Sequence, residues 1–182
     1  MSIQPGSHQL GPENATLRVE TSRRGAAAKA GHDLVIDVTS WEATVEVGDR
    51  SDQLTLWLRA EPGSLKVLEG TGGVRPLGED DKEEIQRTMA EQVLSAEPIE
   101  FRSTDVEASK GRERLRISGE LRMNGATWPL EFELDVDADG KVTGRATVRQ
   151  SDWGIEPYSG LFGALKVKDE VRVLADATLP VA

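Results

Sequence analysis

The sequence predicts an all-β fold, an antiparallel barrel of about eight strands with one amphipathic helix. Three observations carry that prediction. The stretch 114–149 alternates apolar and polar residues through three consecutive runs separated by turn signals. Convincing helical periodicity is confined to 79–94. The remaining runs are short, one-sided and closely connected, and closure into a barrel removes the edges that such strands would otherwise expose.

Residues 1–13 form a polar lead expected to be flexible, and 14–182 a single domain of ordinary size for an all-β chain. Strand signals begin at 16–20. A weakly patterned, alanine-rich connection follows, with room for a helical turn. Residues 31–47 are β-rich, with a bend near Thr39-Ser40-Trp41 and a turn at 48–52. Leu54, Leu56 and Leu58 then alternate with Thr55, Trp57 and Arg59, and Pro62-Gly63 turns the chain into a strand at 64–69. The glycines of 70–78 lack the Gly-Lys-Ser/Thr ending of a phosphate loop.

The helix starts among Glu79, Asp80, Asp81, Glu83 and Glu84, where the macrodipole favours anions. Ile85, Met89 and Val93, with Ala90 and Leu94 beside them, make its apolar stripe. Pro98 stops it, and Ile99-Glu100-Phe101-Arg102 opens the next strand. In the meander, Asn124-Gly125 is a hairpin signal because both central residues of a type I′ turn need positive φ. A loop of about two residues there pairs Leu121 with Trp128, Gly119 with Leu130, Ile117 with Phe132 and Leu115 with Leu134. A bulged loop of about three residues ending at Gly140 then sets Val136 against Val142, Leu134 against Gly144, Phe132 against Ala146 and Leu130 against Val148. One face carries opposite charges and places Glu133 between Arg116 and Arg145. The other is uncharged, with Gly119, Gly144 and Ala146 opposite large side chains. Such small residues either admit a closely packed layer or leave room for a ligand. A turn at 109–113 precedes this meander, and an aromatic, glycine-rich loop at 151–165 follows it, before a last strand with Val171, Val173, Ala175, Ala177 and Leu179 on one parity.

Charge and composition exclude several functions. Lys+Arg 22 against Asp+Glu 32 gives a net charge of −10, which opposes phosphate backbones and argues against nucleic acid. Without cysteine there are no disulfides, thiolate metal sites or cysteine nucleophiles. The first residues show no signal-peptide pattern, and no run approaches a membrane span. A cytoplasmic protein without stable membrane insertion is therefore expected, its oligomeric state open, a homodimer included. Of the two histidines, His8 lies in the lead. His32 and Asp33 point to opposite faces of a strand, so the plain reading of His32 is a backbone hydrogen bond at a strand start. The Asp137-x-Asp139-Gly140 run lacks the later ligands of a calcium loop. Neither a catalytic set, a metal site nor a cofactor is expected, and a dry face without acid, base or nucleophile suits holding an apolar molecule.

Several stretches resemble the YceI-like family: A-G-H-D-L-V-I-D-V-T-S-W at 30–41, P-I-E-F-R-S at 98–103, I-S-G-E-L-R-M-N-G-A-T-W-P-L at 117–130, S-D-W-G-I at 151–155 and K-D-E-V-R-V at 168–173. Their order and spacing carry the match. The resemblance implies a lipocalin-like barrel with a hydrophobic tunnel for a polyisoprenoid or fatty-acid-like lipid, with His32 near the cavity or its rim. It departs from the family in lacking a secretory signal and in the alanines at 26–30. On this reading Ile117, Leu121, Trp128, Leu130, Phe132 and Val148 line the cavity, and Trp153, Leu161 and Phe162 form its mouth. The alternative is a non-catalytic interaction module with a packed barrel, acting through the loop 151–165. An enzyme using His32 ranks third, since the inner face offers it no partner.

Overall fold

The computed structural model describes residues 3–49, 53–109 and 114–181. In chain order the strands are β1 (Gly6–Leu10), β2 (Ala15–Thr21), β3 (Arg23–Arg24), β4 (His32–Val38), β5 (Trp41–Val47), β6 (Leu54–Ala60) and β7 (Leu65–Gly72). The helix α1 (Glu79–Thr88) follows, and then β8 (Ile99–Ala108), β9 (Arg114–Met123), β10 (Ala126–Val136), β11 (Lys141–Arg149), β12 (Ser159–Gly160), β13 (Leu165–Val167) and β14 (Glu170–Thr178). Eleven strands form one antiparallel sheet in the order β1-β5-β6-β8-β9-β10-β11-β14-β2-β4-β7, and β12-β13-β3 form a small second sheet.

That order shows how far the sheet curls. β4 and β5 sit near opposite ends of it, yet only Thr39 and Ser40 separate them in the chain. The sheet must therefore curl strongly enough to bring these two strands to a shared corner. β6 and β7 repeat the device beside them, broken by a helical turn at Pro62–Ser64. Thr39 N–H donates to Ser64 O at 3.1 Å and Glu61 N–H to Ser40 O at 3.0 Å, which fixes the corner. The first corner, which divides the expected 31–47 segment into β4 and β5, and an added strand from the lead carry the sheet past the expected eight or so strands to eleven. The lead is the clearer correction. Gly6–Leu10, expected to be flexible, pairs with β5 from Gly6↔Val47 to Leu10↔Ala43. Val45 and Val47 give this lead an edge and an apolar surface to close on, and a polar sequence does not reveal a free edge elsewhere in the chain.

The meander keeps its expected register through β9 and β10, from Ala126↔Met123 to Asp135↔Arg114. Asn124 and Gly125 have φ of 52° and 75°, as a type I′ turn requires. Gly140, at φ 80°, follows a turn in which Asp137 Oδ1 accepts the N–H groups of Asp139 and Lys141, both at 2.9 Å. Val136↔Val142 and Leu134↔Gly144 pair as expected, but the β10–β11 ladder ends at Glu133↔Arg145. The pairings expected beyond it are absent from that ladder. Glu133 forms its ion pair with Arg114 at 3.4 Å, along its own ladder. Residues 110–113 of the turn expected at 109–113, and part of the turn expected at 48–52, lie outside the described residues.

The helix runs as α over Glu79–Thr88 and widens to a π turn over Met89–Val93. Asp81 Oδ2 accepts the Gly78 N–H at 2.9 Å, satisfying a donor at the helix start. Gln86 Oε1 accepts from Val67 N–H at 2.9 Å, and Asn124 Oδ1 accepts from Ser95 N–H at 2.6 Å. The helical segment is thus tied to β7 at one end and to the β9–β10 turn at the other.

Candidate functional site

The inner face of the curled sheet encloses a cavity of about 290 Å³. Every strand of the large sheet contributes wall residues, β7 through Leu65 alone, and the helical segment adds Met89, Val93 and Leu94. Apolar side chains predominate; the polar residues along the wall are Thr16, Thr21, Arg145, Gln150 and Asp176. Of these Asp176 already accepts the Thr143 hydroxyl at 3.1 Å. Transferring a methylene from water into such a space is worth about 0.8 kcal/mol, so a hydrocarbon chain is the chemistry the wall favours.

The small inward residues divide between the two explanations open to them. A Cβ on Gly119 would run into the Phe101 ring and the Arg102 carbonyl, so that space is already filled by packing. Gly144 and Ala146 instead border the cavity. A Cβ on Gly144 would meet Leu134 Cδ2 at 2.8 Å and Ala175 Cβ only at 3.6 Å.

Leu121, Leu130, Phe132 and Val148 line the cavity. Phe132 meets Phe101 edge to face, with centroids 5.3 Å apart. Ile117 is on the same face but 0% exposed, inside the packed core and away from the cavity wall. Trp128 has the inner parity and pairs with Leu121, yet is 52% exposed, at a level of β10 where β11 no longer pairs with it. Trp153 is 3% exposed and donates its indole N–H to Leu121 O at 2.9 Å, a wedge in the core. Leu161 and Phe162 are 56% and 112% exposed, with φ of 48° and 55°, and neither borders the cavity. His32 Nε2 lies 2.9 Å from Arg75 O, away from the cavity, while Asp33 Oδ1 accepts the Arg23 N–H at 2.7 Å. These two neighbours serve different partners. The helix residues Met89, Val93 and Leu94 were legible as an apolar stripe, but nothing in sequence said what the stripe covers. The contribution of Ile3 and Leu10 came from the lead.

The groups with shifted acidity are on the outer surface. Asp81 is held below the usual carboxyl range by the Gly78 N–H and then by the Arg75 guanidinium, 2.7 Å away. Asp169 is lowered chiefly by the Ser151 hydroxyl at 2.5 Å, with the Ser151 N–H adding to it at 2.8 Å. Both are structural ties. Among the described residues no cluster of His, Asp or Glu could hold a metal, and no helix is long and apolar enough to cross a membrane.

A family model for the YceI-like domain matches residues 13–179. Among solved structures, Burkholderia cenocepacia BcnA superposes with a TM-score of 0.64 at 13% identity, covering 89% of this chain and 94% of its own. A mutant CJ YceI protein with a monobromobimane guest superposes with a TM-score of 0.55 at 10% identity, covering 81% and 84%. Among curated proteins nothing matches.

Proposed function

The chain belongs to the YceI-like domain family, and from that premise we propose that it binds or carries a long-chain apolar ligand, a polyisoprenoid or fatty-acid-like lipid, without transforming it. The observation that carries this reading is the cavity inside the curled sheet, apolar along nearly all of its wall. On this reading residues 14–182 are one domain and the ring of strands is a closed barrel whose long ribbon, β4 with β5, joins both ends. Leu121, Leu130, Phe132 and Val148 grip the tail, and Met89, Val93 and Leu94 cover it from the helix. Organic extraction and mass spectrometry of the purified protein should recover a stoichiometric long-chain lipid. Failure to recover one, together with failure to bind any long-chain probe, would overturn the reading.

A second reading is supported by the loop 151–165, where Tyr158, Leu161 and Phe162 are exposed. Exposed apolar clusters mark contact surfaces, and this one would serve a partner protein whether or not the cavity is occupied. Loss of partner capture in Phe162→Ser with unchanged lipid content would favour it.

A further inference from the structure

β10 contains Pro129, which has no N–H to give, and a proline inside a strand belongs where one side of that strand is unpaired. β9 occupies one side of β10 from Ala126 to Asp135. On the other side β11 pairs only from Glu133↔Arg145 to Val136↔Val142. Past that point both strands continue, β10 held by β9 and β11 held by β14 as far as Arg149↔Glu170. The wall therefore has a wedge-shaped seam with its apex at Glu133 and Arg145. The turn that follows β11 packs against β10, and its Trp153 is anchored to the Leu121 carbonyl.

Beside the apex the seam meets the cavity. An outer groove runs along it past Glu131, Phe132, Arg145 and Thr147, and Phe132 and Arg145 also border the cavity. Extending the register by one step puts the Phe132 ring opposite Ala146, so a ring faces only a methyl group. The cations here differ in what holds them. Arg114 is engaged by Glu133 at 3.4 Å and Asp135 at 2.8 Å, and Arg116 by Glu131 at 3.6 Å and Glu107 at 3.9 Å. Arg145, although opposite Glu133 in register, takes part in none of the ion pairs among the described residues.

We propose that this seam is the entrance by which a lipid tail reaches the cavity, and that the Arg145 guanidinium receives the ligand's anionic head, a carboxylate or a phosphate. The proposal rests on reading the interior as a lipid cavity. The tail passes Phe132 and lies along Gly144 and Ala146, while the head stays in the outer groove, where water completes its solvation. A volume of about 290 Å³ is at the lower end of the roughly 300–1,000 Å³ of small-molecule sites. That suits one tail rather than two.

Oleate, oleyl phosphate and oleyl alcohol share a tail and differ in the head, so their binding to the full chain separates head from tail. The wild-type protein should prefer an anionic probe to the alcohol by about fivefold, the worth of one solvent-exposed ion pair. Arg145→Gln should erase that preference with little change for the alcohol, and the preferred anion identifies the head as carboxylate or phosphate. Equal binding of all three, or a preference that survives Arg145→Gln, overturns the head site and leaves the cavity reading standing. No binding of any probe overturns both. The entrance is tested separately. The chain has no cysteine, so Glu131→Cys with Thr147→Cys can be bridged across the seam by a bis-maleimide. Oleate uptake should slow at least about tenfold relative to the same variant before bridging; an unchanged rate overturns the entrance.

Discussion

Replacing Ala146 with Leu puts an isobutyl group where a methyl now borders the cavity. If the space is open, burying the added carbons is worth at most about 2.4 kcal/mol, at about 0.8 per methylene. Fixing the leucine rotamer takes back about 0.5–1 kcal/mol. Stability should then stay level or rise by up to about 2 kcal/mol, while a tail that loses the same contact area binds up to about fiftyfold more weakly. Gly119→Ala is the matching control. Its new Cβ collides with the Phe101 ring and the Arg102 carbonyl, and a carbonyl in a paired strand cannot retreat. Overpacking there should cost about 1–3 kcal/mol, a fall in Tm of about 2–4 °C for each kcal/mol in a chain of this size. Urea unfolding followed by tryptophan fluorescence gives the two stabilities, and displacement of a fluorescent fatty acid gives the affinities. A loss of more than about 1 kcal/mol in Ala146→Leu with unaltered probe affinity would show that the interior is close-packed and the reasoning wrong.

The helix start should respond to acid with a definite sign. Asp81 titrates below its ordinary 3.8 in the folded chain, so its stabilising effect is complete above that value and is lost as pH falls through the lower folded one. Far-ultraviolet circular dichroism against pH should show this acid limb in the wild type and a shallower one in Asp81→Asn. Ser151→Ala should raise the Asp169 pKa toward 3.8, measurable by carboxyl NMR titration, and an unmoved resonance would rule out the hydroxyl as the main cause. Trp153→Phe removes the indole N–H that satisfies Leu121 O and should cost about 1 kcal/mol or more in urea unfolding. Phe162→Gly removes a fully exposed ring from a left-handed backbone position and should stabilise by up to about 1 kcal/mol; a loss would mean the ring has a partner within the chain.

Local rules carried the meander. Asn124-Gly125 is a turn in almost any context, and a period of two assigns each neighbour to a face, so the β9–β10 register followed at once. Parity gives no depth along a strand, however. Trp128 and Phe132 share a face, yet one stands exposed and the other borders the cavity. A signal for the parted ladder was present in Pro129, whose missing N–H matters more than its place in the alternation. The lead could not be read because its strand exists only by virtue of a free edge on β5, a non-local fact. His32 was legible as far as its hydrogen bond, since a strand start offers backbone partners, but its distance from the cavity depends on how the whole sheet curls.

The pairing of β14 with β2, which sets Leu17 against Ala175, has a consequence for how the chain is made. A ribosome releases β2 long before β14, so the wall cannot be completed until β14 has emerged. Until then β2 and β11 each wait with an open edge, and an unpaired edge is a template for another chain. Contacts of such sequence separation form slowly. A chain truncated before β14 should therefore be found with chaperones or in aggregates, while the β9–β10 hairpin, local and complete much earlier, already holds its native register.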